Sequence, residues 1–562
     1  MIKRLIECVP NFSEGINLGI IKQITDQIES VPGVRLLDVD PGKATNRTVV
    51  TFVGSPEEVI EAAFLAIKKA CEVIDMRNHK GEHPRFGATD VCPFVPVSGV
   101  TMEEASAYAR QLASRVGTEL KFPVYCYEFA AAEEKRRNLA NVRSGEYEGL
   151  PDKLKDPDWK PDFGPAEFVP RTGAIAIGAR NFLVAYNVNL NTTSTRRANS
   201  IAFDIREAGR ILREGDPVSG PVIKDETGEP VRIPGSLQKV KAIGWYIEEY
   251  GIAQISINLT DITVTPIHVA FDEVCRKAEE RGMRVTGSEL VGLVPFSALY
   301  EAGKHYLRKQ QRSTGIPDRE ILKIAVKSLG LDDLKPFNPE EKIIEYILAS
   351  EEKNPLISMT LAEFTDETAS ESPAPGGGSI AAYMGSLGAA LGTMVANLSA
   401  HKRGWDDRWE EFSGWAEKGL HYVKSLRLLV DEDTRAFNRV MDAFGMPKNT
   451  PEEKLHRKAA VQEATRQATL VPYKVMELAL ESMEVLEAMA KFGNPNSVSD
   501  AGVGAMASRS AVLGAGLNVR INAKDLDDRN FATEILGKVE RLELLAKATE
   551  DRILAIVNKG LQ

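Results

Sequence analysis

This chain of 562 residues lacks an excess of positive charge, which argues against one class of protein. Lys and Arg number 70 against 80 Asp and Glu, which gives a net charge of -10. Proteins that hold nucleic-acid phosphates need a basic face, so the acidic balance and the lack of Lys/Arg runs argue against that function. The length predicts three or four domains, each large enough to bury a core.

Cysteine is also scarce. The five cysteines lie in the first half of the chain and include no Cys-x-x-Cys pair. This spacing favours neither a disulfide framework nor a structural zinc site. The N-terminus has Lys3 and Arg4 but reaches Glu7 before an apolar segment could form, so no secretory signal peptide is predicted. We therefore expect a cytoplasmic protein with reduced thiols.

Only seven histidines occur, and two of them lie in residues 79–85, HKGEHPR. His79, Glu82 and His83 match the spacing of inverted zinc peptidases. That pattern needs a helix, which Gly81 weakens from inside and the proline after His83 disfavours. A metal site is therefore the weaker interpretation, and none is predicted.

Two interpretations of the same loop remain. A loop histidine could simply be satisfied by a neighbouring carbonyl group. Alternatively, Lys80 and Arg85 could hold an anion while an imidazole moves protons near neutral pH. We favour the second, a general acid/base loop for an anionic substrate.

Residues 372–400 contain no charged side chain and are long enough to cross a bilayer. Prolines and glycines interrupt the first part, and residues 379–400 are mostly small. Such a helix gains little from lipid but lets neighbouring helices approach closely. We expect a buried helix of a bundle and no membrane span.

The glycine-rich loop before this helix is a second candidate for chemistry. Gly376, Gly377 and Gly378 expose backbone amides, and Ser379 can cap the helix, so an anion or a polar ring could bind. The loop lacks the Lys-Ser/Thr of a P-loop, which argues against ATP. A flexible hinge is the alternative.

The order β-α-β-β-α-β is predicted twice, within residues 1–130 and within residues 182–287, which is typical of ferredoxin-like units. Residues 212–234, rich in Gly, Pro and charge, interrupt the second unit and predict a surface loop. Residues 361–561 have helical spacing almost throughout. The predicted fold class is multi-domain: α+β, with two ferredoxin-like βαββαβ subdomains, followed by an all-α helical bundle. The predicted boundaries are 1–180 and 181–330 for the subdomains, 331–356 for a linker and 357–562 for the bundle.

Several motifs resemble known families. The first half resembles glutamate formimidoyltransferases in residues 8–15 (CVPNFSEG), 79–85 (HKGEHPR), 90–94 (DVCPF), 162–165 (DFGP) and 244–246 (GWY). The second half resembles formimidoyltetrahydrofolate cyclodeaminases in residues 374–379 (APGGGS), 447–453 (PKNTPEE) and 499–500 (SD). The resemblance covers essentially the whole chain, in the order of the bifunctional enzyme. Two ferredoxin-like subdomains side by side would leave a cleft between them. The insertion at 212–234 departs from animal members of the family and concerns the rim of that expected cleft.

The resemblance implies two consecutive steps of histidine degradation. The first half would move a formimidoyl group from N-formimidoyl-L-glutamate to N5 of tetrahydrofolate and release glutamate. The second would cyclise 5-formimidoyltetrahydrofolate to 5,10-methenyltetrahydrofolate and release ammonia. Tetrahydrofolate, with or without a polyglutamate tail, would be the co-substrate, with no metal. The resemblance also suggests a ring-shaped homo-oligomer.

The same resemblance assigns the catalytic residues. The second histidine of the family's loop is catalytic and is His83 here, and the catalytic acid of the helical half falls on Asp433. Asp40, at the end of a predicted strand, is our candidate to orient or charge-balance His83, although a turn-forming aspartate is the alternative.

The binding candidates are weaker. The family places part of the folate site on the segment Gly164, Pro165, Ala166, Glu167, Phe168, Val169, Pro170, Arg171, Thr172 and Gly173, and the glycine-rich loop would add Gly376, Gly377 and Gly378. Phe168 could stack on a pterin. The substrate-binding candidates are Asn11, Arg47, Lys80, Arg85, Lys448, Arg457, Asn494 and Asp500.

Two alternatives stay open. Only one half could be active, with the other acting as a folate-binding or assembly module. The chain could also be a scaffold that binds folates or cytoskeletal partners without turnover. The presence of both His83 and Asp433 favours two activities, because a retired site has no need of them.

Overall fold

The computed structural model describes residues 4–42, 46–81, 85–215, 220–349 and 356–562. It divides the chain into two compact units, Met1–Pro295 and Phe296–Gln562, which are described separately.

The first unit begins with the predicted ferredoxin-like pattern. Its elements are β1 (Leu5–Cys8), β2 (Asn11–Phe12), α1 (Leu18–Glu29), β3 (Arg35–Gly42), β4 (Arg47–Gly54), α2 (Pro56–Val73) and β5 (Thr89–Ser98). The strand order is β3-β4-β1/β2-β5, with β1 and β2 together acting as one interrupted central strand and all pairs antiparallel. Phe52, Ile67 and Phe94 lie in the buried core between this sheet and its helices.

Two further strands extend this sheet. The elements are α3 (Met102–Glu119), β6 (Val124–Glu128), α4 (Leu139–Val142), α5 (Glu146–Lys153) and β7 (Ile175–Ala179). β7, which was not predicted, lies between β5 and β6 and is parallel to both. The segment that carries α4 and α5 contributes Val142 and Leu150 to a second apolar cluster with Phe86 and Tyr125.

The second ferredoxin-like pattern follows. Its elements are β8 (Val184–Leu190), α6 (Thr195–Ile205), β9 (Arg210–Ile211), β10 (Arg232–Ile233), β11 (Val240–Ile247), β12 (Ile252–Leu259), α7 (Ile267–Glu279) and β13 (Val285–Val291). The antiparallel order β11-β12-β8-β13 repeats that of the first sheet. The predicted surface loop contains part of the short β9–β10 pairing.

The described part of the second unit is helical. It contains α8 (Phe296–Lys309), α9 (Asp318–Leu329), α10 (Pro339–Lys342), α11 (Ile344–Ala349), α12 (Leu361–Thr368), α13 (Gly377–Ala400), α14 (Trp409–Gly445), α15 (Pro451–Phe492), α16 (Val498–Lys524) and α17 (Arg529–Gly560).

This unit begins earlier than the boundary predicted at 330. The Thr314 N–H donates to Ser413 Oγ at 3.0 Å, and the Asn397 amide donates to the Gly315 carbonyl at 2.8 Å. These contacts join the turn between α8 and α9 to the long helices. The predicted linker, 331–356, contains α10 and α11.

α13 is the charge-free helix predicted from the sequence. It packs against α14, α15 and α16, and 61% of its most apolar 18-residue window is buried. It is the one described helix long and apolar enough to span a membrane by length and composition. A Cβ atom on Gly388 would lie 2.3 Å from Ser508 Oγ and 2.8 Å from the Gly504 carbonyl oxygen, so only glycine permits this helix contact.

Candidate active sites

The loop that contains His83 is described on both sides, whereas Glu82, His83 and Pro84 lie outside the described residues. On the near side, His79 Nε2 lies 2.8 Å from the Asn46 carbonyl oxygen. A carbonyl only accepts hydrogen bonds, so Nε2 must carry the proton and donate it. The neighbouring carbonyl thus pairs one ring nitrogen of His79, while Nδ1 is buried and has no hydrogen-bond partner among the described residues.

Asn46, the residue directly before β4, contacts the same loop. The Asn46 amide donates to the Lys80 carbonyl at 2.8 Å, and Lys80 itself is exposed. Asp40 is exposed on β3, close enough to Arg47 to act on its charge. Burial lowers the pKa of the Arg47 guanidinium, an effect that Asp90 and Asp40 oppose. Asp40 and Arg47 therefore lie on the two strands that flank Asn46, and their role beside His83 stays a prediction.

The predicted folate segment runs directly beside the other side of the loop. The Ala88 N–H donates to the Thr172 carbonyl at 2.8 Å, and the Ala174 N–H donates to the Phe86 carbonyl at 3.1 Å. A Cβ on Gly87 would lie 2.1 Å from the Ala174 carbonyl oxygen, so only glycine fits this seam. Two segments about 85 residues apart in the sequence are thereby held together. Their folate-binding role stays a prediction.

The folate segment is irregular in structure, as its glycines and prolines predict. Its shape is fixed by contacts from outside. The Phe168 ring packs against Tyr147 with centroids 5.5 Å apart, and Tyr147 donates its hydroxyl to the Pro170 carbonyl. Arg171 donates to the Cys71 carbonyl at 3.2 Å, which ties the segment to α2.

Two predicted substrate ligands have structural partners instead. Arg85 is paired with Glu148 at 2.5 Å and donates to the His79 carbonyl at 3.4 Å, so its guanidinium joins the loop to α5. Asn11 is buried in β2, and its amide donates to the Val9 carbonyl at 3.0 Å. Arg85 Nε is buried and has no hydrogen-bond partner among the described residues, and the role of both side chains in substrate binding stays a prediction.

A buried ion pair in the same region was missed. Asp90 is fully buried; its Oδ1 accepts the Phe86 N–H at 2.9 Å and its Oδ2 accepts from Arg143 Nη1 at 2.7 Å. The available signal was Asp90 itself, an acid that opens an otherwise apolar strand. Arg143 had none, because its partner lies 53 residues away.

The helical unit brings Asp433 to the start of α13. The hydroxyl of the fully buried Ser379 lies within hydrogen-bond distance of two acceptors, the Val430 carbonyl oxygen at 2.9 Å and Asp433 Oδ2 at 3.2 Å, and its one hydrogen is shared between them. A Cβ on Gly378 would lie 2.1 Å from Asp433 Oδ1. The carboxylate therefore rests on the bare backbone of the glycine-rich loop, so the two features predicted separately form one site.

Opposing effects act on the Asp433 carboxyl group. Burial raises its pKa, while hydrogen bonds from the Ser379 hydroxyl and backbone N–H lower it, and the net direction is upward. Its neighbours differ, because Asp431 accepts the Leu356 N–H and Glu432 pairs with Arg435 and Arg439. Of the three acids, Asp433 is the one that contacts the start of α13, and its role as a proton carrier stays a prediction.

A cavity of about 390 Å³ lies beyond the C-terminal end of α14. It is basic and is lined by Phe444, Lys448, Lys454, Arg457, Lys458, Val461 and Gln462. Arg457 donates to the Phe444 carbonyl at 2.9 Å. Phe444 follows Asp433 by 11 residues on the same helix, which corresponds to roughly 16 Å. Lys448 and Arg457 therefore lie at the Asp433 end of the bundle, but not beside the carboxylate.

Comparison with known sequences identifies the family. Three family models match: the formiminotransferase domain, N-terminal subdomain, over residues 5–180, the formiminotransferase domain over 185–349 and formiminotransferase-cyclodeaminase over 360–541. Formimidoyltransferase-cyclodeaminase of Gallus gallus is 45% identical, over 99% of each chain. The chain belongs to this family.

Shorter relatives match parts of the chain. Glutamate formimidoyltransferase of Streptococcus pyogenes serotype M1 is 40% identical, over 54% of this chain and 94% of its own. Methenyltetrahydrofolate cyclohydrolase of Methylorubrum extorquens is 41% identical, over 35% of this chain and 95% of its own. Parts of this formimidoyltransferase-cyclodeaminase family member thus resemble separate proteins.

Asn494 and Asp500 do not share the pocket of Asp433. The Asn494 N–H donates to Ser399 Oγ at 2.8 Å, near the end of α13, whereas Asp433 contacts Ser379 near its start. Twenty residues of helix separate the two serines, or roughly 30 Å. Asp500 lies in the first turn of α16, two residues after that helix begins. The prediction that they line the same pocket is wrong, since both motifs serve the opposite end of the bundle.

No group of three or more His, Cys, Asp or Glu side chains that could hold a metal ion is found within the described ranges. Glu82 and His83 fall outside those ranges, so this observation does not bear on them.

Proposed function

We propose that this protein transfers the formimidoyl group of N-formimidoyl-L-glutamate to N5 of tetrahydrofolate and then cyclises the product to 5,10-methenyltetrahydrofolate. The full-length relative is named for both formimidoyltransferase and cyclodeaminase. The shorter relatives are named separately, one for formimidoyl transfer to or from glutamate and one for a folate. The observation that carries the proposal is the Asp433 carboxylate held against Gly378, a proton carrier built into the loop that resembles cyclodeaminases.

The transfer step needs a proton to move between two nitrogens. N5 of tetrahydrofolate attacks the amidine carbon and must lose its proton, while the glutamate nitrogen must gain one before the carbon–nitrogen bond breaks. One imidazole can do both, and His83 is the proposed group. Asp40 and Arg47 lie at the flank of this loop, where they can balance its charge.

The cyclisation step needs an acid. N10 attacks the amidine carbon to close the five-membered ring, which leaves an amino group on that carbon. Protonation of the amino group lets ammonia depart and gives the methenyl cation. Because burial raises the pKa of Asp433, its carboxyl group holds a proton to higher pH than an exposed aspartate does.

The folate would be held in both units. In the first, the segment from Gly164 to Gly173 offers a fixed backbone edge beside the His83 loop. In the second, the amides at Gly376 to Gly378 start α13 beside Asp433. The basic cavity lined by Lys448 and Arg457 suits carboxylates, so it is the proposed position for the glutamate tail of the folate, including a polyglutamate tail.

One assay tests the overall proposal. The pure protein is incubated with formimidoylglutamate and tetrahydrofolate, and glutamate, methenyltetrahydrofolate and ammonia are followed together. We expect all three in equal amounts. Glutamate alone would mean that only the first unit is active, and none of the three would refute the proposal.

A second candidate activity rests on one relative. The Methylorubrum protein is named for hydrolysis of methenyltetrahydrofolate, the compound that the cyclisation step forms. The same acid could assist addition of water to that ring. Supplying methenyltetrahydrofolate alone and following its absorbance separates the two activities. With a cyclodeaminase that has no hydrolase activity, methenyltetrahydrofolate disappears no faster than it does in buffer.

We further propose that the protein forms a homo-oligomer through α13 and α16. The family resemblance suggests that this oligomer is ring-shaped. Large apolar side chains are exposed on α13 at Leu387, Met394 and Leu398, and on α16 at Leu517 and Ile521. Their spacing puts each set on one helix face, and exposed apolar stripes of this size are typical of interfaces. Light scattering should report an oligomer that L517E/I521E dissociates. A monomeric wild type would contradict this.

The proposed location is the cytoplasm. The five cysteines are free thiols, and Cys8 and Cys92 remain unbonded with sulfur atoms 3.5 Å apart. Such a pair suits a reducing compartment. Fractionation of the source cells tests this directly.

A further inference from the structure

Arg143 has a donor edge that its structural partner does not use. Asp90 takes only Nη1, at 2.7 Å. The side edge of a guanidinium consists of Nε and Nη2, which together match the two oxygens of a carboxylate. Nε is buried and has no hydrogen-bond partner among the described residues, while the side chain as a whole is 19% exposed. The free edge is therefore desolvated yet reachable from solvent.

The guanidinium is held rigidly. Asp90 is fully buried and is fixed in turn by the Phe86 N–H. The backbone on both sides of Arg143 is held by Lys153, whose ammonium donates to the Val142 carbonyl at 2.6 Å and to the Ser144 carbonyl at 3.1 Å. A fixed donor loses little entropy when it binds, which is the arrangement of a binding residue.

The surroundings favour an anion. Arg47 is close enough for Arg143 to lower its pKa, so two guanidinium groups stand near one buried carboxylate. The pair adjoins the loop of the proposed catalytic His83, since Phe86 follows that residue by three positions. An anionic substrate bound here would lie near Phe86, at the described end of that loop.

We propose that Arg143, with its orientation set by Asp90, binds a carboxylate of the amino-acid substrate of the transfer step through its Nε–Nη2 edge. The proposal rests on the transferase activity proposed above, whose substrate is a dicarboxylate. Arg143 is a binding residue for that substrate and takes no part in proton transfer.

The chain offers a matched control. Arg136 lies in the same segment and also forms a buried ion pair, with Asp162 at 2.7 Å. It differs in that Nη2 donates to the Lys160 carbonyl and only 4% of the side chain is exposed. Arg136 Nε is also buried without a partner among the described residues, but its Nη2 is used by the Lys160 carbonyl and its side chain is closed to solvent, so Arg136 is a more deeply buried structural arginine.

The test compares Arg143→Lys with Arg136→Lys. A lysine keeps the charge next to the buried acid but cannot present a two-donor edge. For R143K we expect the KM for formimidoylglutamate to rise roughly 10- to 100-fold, since charge-assisted hydrogen bonds of this kind are lost. The kcat, the KM for tetrahydrofolate and the conversion of supplied 5-formimidoyltetrahydrofolate should stay within about twofold. R136K should leave all of these unchanged.

A rise in KM of the same size in both variants, or none in R143K, would overturn the proposal. If R143K does not fold, the double variant D90N/R143Q removes both charges together and must show the same selective rise. Binding of L-glutamate, measured by calorimetry, separates this proposal from the transferase assignment. A wild type that turns over no substrate refutes the transferase, whereas unaltered glutamate binding by R143K refutes the role of Arg143.

Discussion

At the scale of single residues, the two candidate sites depend on glycines at positions that have no room for a side chain. Gly87 lets the loop beyond His83 pair closely with the folate segment, and Gly378 lets Asp433 lie on the backbone at the start of α13. In each case a Cβ atom would fall about 2.1 Å from an oxygen. Close backbone approach, more than loop flexibility, explains why glycine is needed here.

Gly378→Ala should selectively damage the cyclisation step. The new methyl group must displace the Asp433 carboxylate, because that is the nearest group and the one able to rotate away. Catalytic groups displaced by about 1 Å commonly cost about 100-fold in rate. We therefore expect a loss of that order in cyclodeaminase turnover, with glutamate release unchanged.

Gly414→Ala is the control, since nothing lies within 4 Å of a Cβ at that position in α14. An alanine there should leave turnover unchanged and modestly stabilise the helix. Equal losses in both variants would show that Gly378 serves folding and not the position of Asp433.

Asp433→Asn should change stability in a pH-dependent way. Burial raises the pKa of Asp433 in the folded state above its ordinary value of 3.8. Below that value the group is protonated in both states and costs nothing. As pH rises, the unfolded chain ionises first, so the wild type loses stability until the folded-state pKa is passed.

The asparagine variant should thus gain thermal stability relative to wild type between acidic and neutral pH, and show the smallest difference near pH 3.5. Thermal unfolding followed at several pH values measures this. A variant that is progressively less stable at neutral pH would mean that the Ser379 hydrogen bonds outweigh burial.

At the scale of elements, local signals in the sequence were sufficient for helix starts. The capping box at Thr101 and Glu104 is present in both directions, at 2.9 and 3.2 Å. The motif at 447–453 also contains a helix start, with Thr450 as N-cap and Glu453 as its partner. These bonds connect residues three positions apart, so the sequence alone reveals them.

Pairing between distant segments was not accessible in the same way. β7 was missed because it is only five residues long, Ile-Ala-Ile-Gly-Ala, and all five are apolar and buried, so no apolar/polar alternation indicates a strand. The Asp90–Arg143 pair and the seam between Gly87 and Gly173 connect segments more than 50 residues apart. No local pattern specifies such partners.

Lys153→Met should destabilise the segment that carries α4 and α5. The ammonium of Lys153 donates to three backbone carbonyls and lies 4.1 Å from the centre of the Trp159 ring. Methionine can fill the space but leaves buried acceptors unpaired, at a cost of about 1–3 kcal/mol. Denaturant unfolding of the transferase unit should show this loss.

Lys155→Met provides the comparison. Lys155 pairs with Asp152 on the surface, with side chains 75% and 87% exposed. Surface pairs of this kind contribute about 0–1 kcal/mol. If both variants lose equally little stability, Lys153 does not hold the backbone on the two sides of Arg143.

At the scale of the whole molecule, the family motifs identified the two reactions, but they did not identify which motif residues lie close together in the fold. The motif around Asn494 and Asp500 was assigned to the Asp433 pocket, yet it lies at the other end of α13. A motif indicates that its residues are shared within a family. Which motifs lie close together in space depends on the path of the chain. In the helical unit, that path brings Gly378 and Asp433 together and leaves Asn494 and Asp500 apart.

The two units should work independently in the test tube. His83→Ala removes the proposed proton carrier of the transfer step, and loss of a general acid/base commonly costs roughly 10²- to 10⁴-fold in rate. Conversion of supplied 5-formimidoyltetrahydrofolate should stay near normal, because that chemistry lies in the separate helical unit. Asp433→Asn should do the reverse, releasing glutamate while 5-formimidoyltetrahydrofolate accumulates.

Mixing the two variants should restore the complete reaction, since the intermediate made by one protein can diffuse to the other. The lag before methenyltetrahydrofolate appears then measures transfer through solution, and it should shorten as the concentration of His83→Ala is raised. A wild type with a shorter lag at equal site concentration would indicate direct transfer between its own sites. If folded Asp433→Asn also stops releasing glutamate, the sites are coupled, and the assignment of one reaction to each unit fails.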